Sequence, residues 1–446
     1  MKHPFQLILS DKSGEHLFTS AKHHIQVFST ATGAIVGSWV DTVDIMEPLK
    51  KQQLKKIRAL EAQHARDIKE AEAAAAAEPD AKKQKIEVKP IRIPKIPTPG
   101  PGAPPVYNFI RVLHLTADEK YLVGTTDSDK AIIMFELDFS QDNCLRLVKR
   151  QCLAKRPCAI ASSEDSSQMI VGDKFGDVYN IGVTTPAVED LKTFPQPILG
   201  HVSMLSDVVY AKHDGKEYVL TADRDEHVRV SHFPKSYVIK KWLFGHKEFV
   251  TNMLIPSWAP ERLVTSGGDD FICSWDWTAE TNNLLDTFSV RDLVLPFLSD
   301  YHIAPERFWT EEEAADRSLL EREITIQKIL AVEKYKLLVV LAENTNALFV
   351  LNLADDGKIT YNQTLTTDSQ IITFSVDANA RMYVGLDNKD GHLLDVYQFQ
   401  SASDVEKLAS TTMDQIAANS VVEVEKADDI YPLYHAAALR KRSEFS

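Results

Sequence analysis

Two histidine–aspartate pairs hold the parts of a proton relay. His201 precedes Asp225 by about 24 residues and His246 precedes Asp269 by about 23, with Thr265 and Ser266 supplying hydroxyls near the second pair. Hydroxyl, imidazole and carboxylate together make a nucleophile. They also make a buried structural network, in which a turn aspartate accepts backbone N–H bonds and one imidazole N–H. A hydroxyl and the Trp275 indole N–H then complete it. The pair occurs twice, whereas an active site is normally single, so the network is the stronger reading. The other signatures of chemistry are missing. There is no P-loop, no G-x-G-x-x-G, no H-E-x-x-H and no G-x-S-x-G elbow. Cys144, Cys152, Cys158 and Cys273 form no CxxC pair and read as reduced thiols. No catalytic residue, metal ligand or cofactor motif is assigned to this chain.

Charge raises a second question. In "LTADRDEHVRVSHF" (220–233), Arg229 sits between two valines in a stretch that reads as strand. An unpaired buried arginine is costly, so it must reach a rim, pair with Asp223 or Glu226, or meet an external carboxylate. A basic cluster, Arg146, Lys149, Arg150, Lys155 and Arg156, admits two readings: contact with RNA phosphates or an acidic partner, or a charged edge strand. No aromatic residue interleaves with it, so base stacking is not suggested. Lys174, Asp177 and Tyr179 are further candidates for a rim. The chain as a whole is acidic, with net charge −14, which disfavours nucleic acid as its main partner. The apolar N-terminal stretch is too short for a signal peptide, and no apolar run of about 18 residues occurs. A soluble intracellular protein without membrane contact is expected.

The elements that must position these residues follow one template. An apolar strand meets a polar turn, and a second apolar strand ends in an aromatic or aliphatic residue. The copies end at Phe28, Phe135, Ile181, Ser231, Trp275, Leu351 and Tyr397, about 44 to 50 residues apart where no insertion intervenes. That period is one four-stranded blade, and seven copies predict an all-β, seven-bladed β-propeller, a ring without free sheet edges. The template puts Asp225 and Asp269 in equivalent turns, with His201 and His246 as neighbours. Ser231 occupies the Trp275 position, which leaves the network around Asp225 incomplete.

Residues 1–41 read as the first blade, 106–400 as the remaining blades and 401–446 as a tail. The insertion 42–105 begins with helix-forming Glu, Lys, Gln and Ala, and Leu49, Leu54, Ile57, Leu60 and Ile68 give only a thin apolar stripe. A solvated helix or partly disordered arm is predicted, followed by an extended proline-rich linker. Lys82, Lys83 and Lys85 read as a nuclear import signal or a solvated charge run. A smaller insertion, about 291–322, is expected to hold one or two short helices on a blade rim. Tyr431, Leu433 and Tyr434 are candidates to dock the tail, whose Arg440, Lys441 and Arg442 make it basic.

The Gly-His pairs at 200–201 and 245–246, the turn aspartates and Trp275-Asp276 resemble the WD-repeat family. Longer phrases are more specific: "KRPCAI", "DKFGDVYNI", "PILGHVSMLSDV", "LTADRDEHVRVSHFP" and "IKKWLFGHKEFVTNML", with "PGPGAPPVYNFIR" upstream and "DDIYPLYHAAALRKR" at the end. With these the chain resembles the WD-repeat non-catalytic subunit of eukaryotic tRNA (guanine-N7-)-methyltransferase in its fungal form. The resemblance spans most of the chain and is strongest from Arg156 to Leu254. It implies a propeller that binds and stabilises a separate catalytic subunit as a heterodimer. The S-adenosylmethionine would be held by that partner, which methylates N7 of a guanosine in the tRNA variable loop. It also implies a largely nuclear protein that meets tRNA through the complex. Arg229 matches the family's basic residue that pairs with an acidic residue of the catalytic subunit. Asp225, Glu226 and Lys174 are placed with it as partner-facing candidates. A scaffold or substrate adaptor of another complex, such as a ubiquitin ligase, is the alternative that composition alone leaves open.

Overall fold

The computed structural model describes residues 1–77, 107–190, 192–194, 196–281 and 283–442. They form two units, Met1–Asp41 with Phe109–Ser446, and Thr42–Asn108.

The first unit is a ring of seven four-stranded antiparallel sheets, each built from consecutive strands. The blades span 7–40, 110–152, 157–200, 205–243, 250–289, 326–366 and 371–408, numbered here 1 to 7. First strands of neighbouring blades pack on one another around the axis, and those of blades 1 and 7 close the circle. Middle strands are covered on both faces by adjacent blades, so they are continuously apolar. Leu337–Ala342 of blade 6 is buried at every position, whereas only Ile359 is buried in the outer strand Ile359–Thr366. All seven expected end residues lie on third strands facing the second strand, as in Leu17↔Phe28, Val219↔Ser231 and Leu263↔Trp275.

Because the strands alternate in direction, the turns between second and third strands share one face of the ring with the links between blades. The tail lies across that face as a strap. Its start is fixed by Tyr431, whose N–H donates to His3 Nε2 at 3.0 Å and whose ring meets Phe109 edge-on. Tyr434 O–H donates to Asp387 of blade 7 at 3.3 Å. Glu343 of blade 6 accepts the N–H groups of His435, Ala436 and Ala437 at 2.5–2.6 Å. Arg440 pairs with Glu248 at 2.9 Å and donates to Gly268 O at 2.6 Å. Lys441 pairs with Asp225 of blade 4.

The ring closes without a shared sheet. His3 N–H donates to Val422 O and Val424 N–H to Met1 O, both at 2.9 Å, and Lys2 bridges to Glu423. The helix Thr411–Asn419 buries Met413, Ile416 and Ala417 against Phe5, Leu17 and Leu394 beside this ladder.

The second insertion forms two short α-helices, Arg291–Val294 and Glu311–Ala315, within the one or two expected, and adds four 3₁₀ turns. Val294 and Phe297 anchor it on the core between blades 5 and 6. In the other unit, Glu47–Ala77 is one 31-residue helix, and Leu54, Leu60 and Ile68 are exposed on it. The proline-rich linker and Lys82, Lys83 and Lys85 lie outside the described residues.

Candidate functional site

Blade 5 carries the complete network. Asp269 bonds His246 Nδ1 at 2.8 Å, His246 Nε2 meets Thr265 Oγ1 at 2.6 Å, and the Trp275 indole N–H donates to Thr265 at 2.8 Å. The N–H of Lys247 adds a bond to Asp269 at 3.1 Å. Donors run in one direction here: indole to hydroxyl, hydroxyl to imidazole, imidazole to carboxylate. The hydroxyl is enclosed and its oxygen already accepts a bond, so it braces the blade instead of attacking a substrate.

Blade 4 departs from the sequence expectation at the carboxylate. His201 Nδ1 bonds Asp223 at 2.8 Å, not Asp225, and Nε2 meets Thr221 Oγ1 at 2.7 Å. Asp223 also accepts the N–H groups of Asp225 at 2.8 Å and His227 at 3.1 Å. The cause lies two residues earlier in the turn. In blade 5 the position equivalent to Asp223 is Gly267, where a Cβ would run into the Phe249 carbonyl, so the carboxylate comes from further along. In blade 4 that position is open to a side chain. Burial pulls the Asp223 carboxyl up, but the bonds from His201 and the His227 backbone outweigh it and hold it below the usual carboxylate range. Asp225 instead accepts the Ser203 hydroxyl at 2.6 Å and pairs with Lys441, so the strap occupies it. Glu226 is exposed at the apex, with φ of 67°.

Arg229 fills the space of the missing tryptophan. It lies on the same strand face as Ser231 and is only 5% exposed. Nε donates to Ser231 Oγ at 2.8 Å, and the two amino groups donate to Gly200 O at 3.0 Å and Ser236 O at 2.9 Å. In blade 5, the glycine equivalent to Gly200 is Gly245, against which Trp275 packs. Arg229 pairs with neither Asp223 nor Glu226 and forms no ion pair among the described residues; burial lowers its proton affinity. This cation is solvated by carbonyls and a hydroxyl, and its charge is not neutralised.

A path of aromatic rings leads from Arg229 to the surface. Its guanidinium lies 5.7 Å from the Trp242 ring, its partner across the strand pair. Trp242 stacks with Phe244 at 6.4 Å and meets His227 edge-on at 5.5 Å. Phe244 is 68% exposed. Tyr237 is 71% exposed, and Val238, Ile239 and Val202 are exposed as well. Tyr237, Val238 and Ile239 lie at the start of the outer strand Ile239–Leu243, Phe244 follows its end and Val202 lies in the link before the blade, so blade 4 with its flanks carries the most exposed large apolar side chains of any blade among the described residues. Their signal in the sequence is the apolar run 237–239, which spans the end of the turn and the start of the outer strand, where polar residues would be expected.

The basic cluster does not form a patch. Arg146 pairs with Glu136 on the outer edge. Lys149 is buried and donates to Gly182 O at 2.5 Å across the blade boundary. Arg150 forks Asp129 at 2.8 Å and reaches Asp41 at 3.1 Å. Arg156 turns into the central channel toward Asp127, 3.8 Å away. Strand alternation sends neighbours in the sequence to different faces. Lys155 alone stays with an aromatic group, 3.8 Å from the exposed Phe175 ring, which Lys174 also approaches.

Comparison with known proteins follows this geometry. The family described as "tRNA methyltransferase TRM82 WD40 domain" matches residues 17–195 and 184–409. A Debaryomyces hansenii protein named "tRNA (guanine-N(7)-)-methyltransferase non-catalytic subunit TRM82" is 46% identical over 456 residues, covering 100% of both chains. A Saccharomyces cerevisiae protein of the same name is 33% identical over 460 residues, covering 99% of this chain and 98% of the relative. Among solved structures, "Structure of U3-55K" superposes with a TM-score of 0.54 at 13% identity, covering 86% of this chain and 89% of that one. "Crystal structure of RRP9 WD40 repeats" gives 0.54 at 13%, covering 86% and 88%. These two likenesses concern the fold alone.

Proposed function

This chain belongs to the TRM82 WD40-domain family of non-catalytic tRNA (guanine-N(7)-)-methyltransferase subunits, and on that premise we propose how its propeller serves the enzyme. Its role is accessory and non-enzymatic. In our reading it binds and stabilises the catalytic subunit as a heterodimer and is required for N7-methylguanosine formation in the tRNA variable loop. The partner holds S-adenosylmethionine, and tRNA is met through the complex. Nuclear residence, with Lys82, Lys83 and Lys85 as import signal, belongs to the same proposal.

One observation carries the docking site: exposed apolar side chains flank both ends of the outer strand of blade 4, whose Trp242 meets a buried arginine without a carboxylate partner among the described residues. Phe244, Tyr237 and Val202 offer the kind of area that forms the dry centre of an interface. A partner covering them would exclude water from Trp242 and strengthen the field of Arg229 on an acidic side chain of its own. Of the residues placed with Arg229, Glu226 and Lys174 remain exposed for such contact, whereas Asp225 is engaged by the strap.

The test uses substitutions that keep the blade folded. Glutamate at 229 would face the Gly200 and Ser236 carbonyls, so Arg229→Met is the appropriate variant. Arg229→Met, and separately Tyr237→Ala with Phe244→Ala, should weaken co-purification of the methyltransferase subunit and lower tRNA methylation by the complex. A loss of about 2–5 kcal/mol in binding is expected for Arg229. Normal recovery of the partner with both variants would remove blade 4 as the docking site.

A further inference from the structure

The central channel contains a cavity of about 480 Å³, within the range of small-molecule sites. Its side chains are of an unusual kind for an acidic protein. Arg111, Arg156 and Arg224 all line it, from blade 2, the link to blade 3 and the turn of blade 4, and no aspartate or glutamate lines it among the described residues. Phe109, Met204 and Leu439 supply apolar wall.

Among the described residues the three guanidiniums have one carboxylate between them, that of Asp127. Arg111 takes both oxygens of Asp127, at 2.7–2.9 Å. Arg156 is left with the same carboxylate at 3.8 Å, and its Nε is buried without a hydrogen-bond partner. Burial and the nearby Arg111 both lower its proton affinity. Arg224 donates through Nε to Leu439 O at 2.6 Å, the one hydrogen bond of its side chain among the described residues. Buried donors of this kind normally have partners.

The roof is the strap. Leu433, His435, Ala436, Ala438 and Leu439 close the cavity on the face where the turns lie. A folded macromolecule is kept out, while a small solute fits beneath.

We propose that this cavity binds a small molecule carrying a phosphate group, held by Arg111, Arg156 and Arg224, with any ring or carbon skeleton against Phe109, Met204 and Leu439. Planar guanidinium forks match phosphate oxygens in geometry as well as charge. Because Arg224 both lines the site and holds Leu439, an occupied cavity and a docked strap stabilise each other. The inference stands apart from partner docking on blade 4.

The test titrates the full-length chain with inorganic phosphate, pyrophosphate and AMP at constant ionic strength. Thermal unfolding and heat of binding are followed, together with protease cleavage within 430–442. Saturable stabilisation and strap protection are expected. Arg156→Gln should weaken binding by about tenfold or more, as for loss of a charge-assisted bond, while the unliganded protein melts as before. Tighter binding of AMP than of phosphate identifies an organic ester as the occupant; equal binding identifies the inorganic ion. Arg224→Gln provides the same comparison should Arg156→Gln fail to fold. The proposal is overturned if no probe binds saturably, if sodium chloride at equal ionic strength reproduces the effect, or if the arginine variants bind as tightly as the unaltered protein.

Discussion

Blades 4 and 5 start from the same parts and use one position in opposite ways. Both fix a histidine between an aspartate and a threonine, with distances that agree within 0.1 Å. Blade 5 then fills the remaining space with Trp275, which extends the network and the core together. Blade 4 fills it with Arg229 and Ser231, so the guanidinium bonds the Gly200 carbonyl on the side where Trp275 packs on Gly245. The histidine–aspartate pair is therefore what these two blades have in common. The tryptophan position can be given to a charge, at a cost in burial that the fold itself does not recover.

The largest expected effect is on blade 5. Trp275→Ala should lower propeller stability by about 3–5 kcal/mol in urea unfolding, as for other buried aromatic truncations. Arg229→Met should leave stability within about 1 kcal/mol, since replacing a buried charge by an apolar group is often near neutral. Equal losses at the two positions would break the contrast. A graft sharpens it further: Arg229→Cys with Ser231→Trp should give a stable propeller that no longer retains the methyltransferase subunit. Next comes the choice of carboxylate. Asp223→Ala should cost about 1–3 kcal/mol, because His201 and the turn N–H groups lose their acceptor. Its folded carboxyl lies below the ordinary value, so its contribution is present above pH 3.8 and is lost as pH falls further. Asp223→Asn should accordingly flatten the acid limb of a stability–pH curve. The smallest effect belongs to Asp225→Asn, which removes a partly exposed pair with Lys441 and should cost about 0–1 kcal/mol.

Much of the ring was legible because each blade repeats one alternation of apolar residues, and the seven third-strand anchors fall on that repeat. Asp225 was misassigned for a physical reason. Counting back from the tryptophan position points to it, but the packing of Phe249 decides which residue of the turn reaches the histidine. Its one trace in the residue types is Gly267 where blade 4 has Asp223. Arg146 to Arg156 read as one cluster, while the strand Leu145–Cys152 sends Arg146 to an outer edge and Lys149 to a blade boundary, and the link after it turns Arg156 into the channel. The surplus charge at Arg229 was visible; its burial beside Gly200 and Ser236 was not, since Gly200 comes from the preceding blade. The partners of the strap lie up to 428 positions away, beyond any local pattern.

In a ring of seven, the seam between blades 7 and 1 lies across the axis from blade 4. The strap begins beside that seam, at His3 and Tyr431, and reaches Asp225 through Lys441. In mechanical terms it is a tie-rod along a diameter. The seam itself is held by the packed first strands of blades 1 and 7, a short ladder and one helix. Tension carried along the rod then makes whatever grips blade 4 also a lock on the opposite side of the hoop.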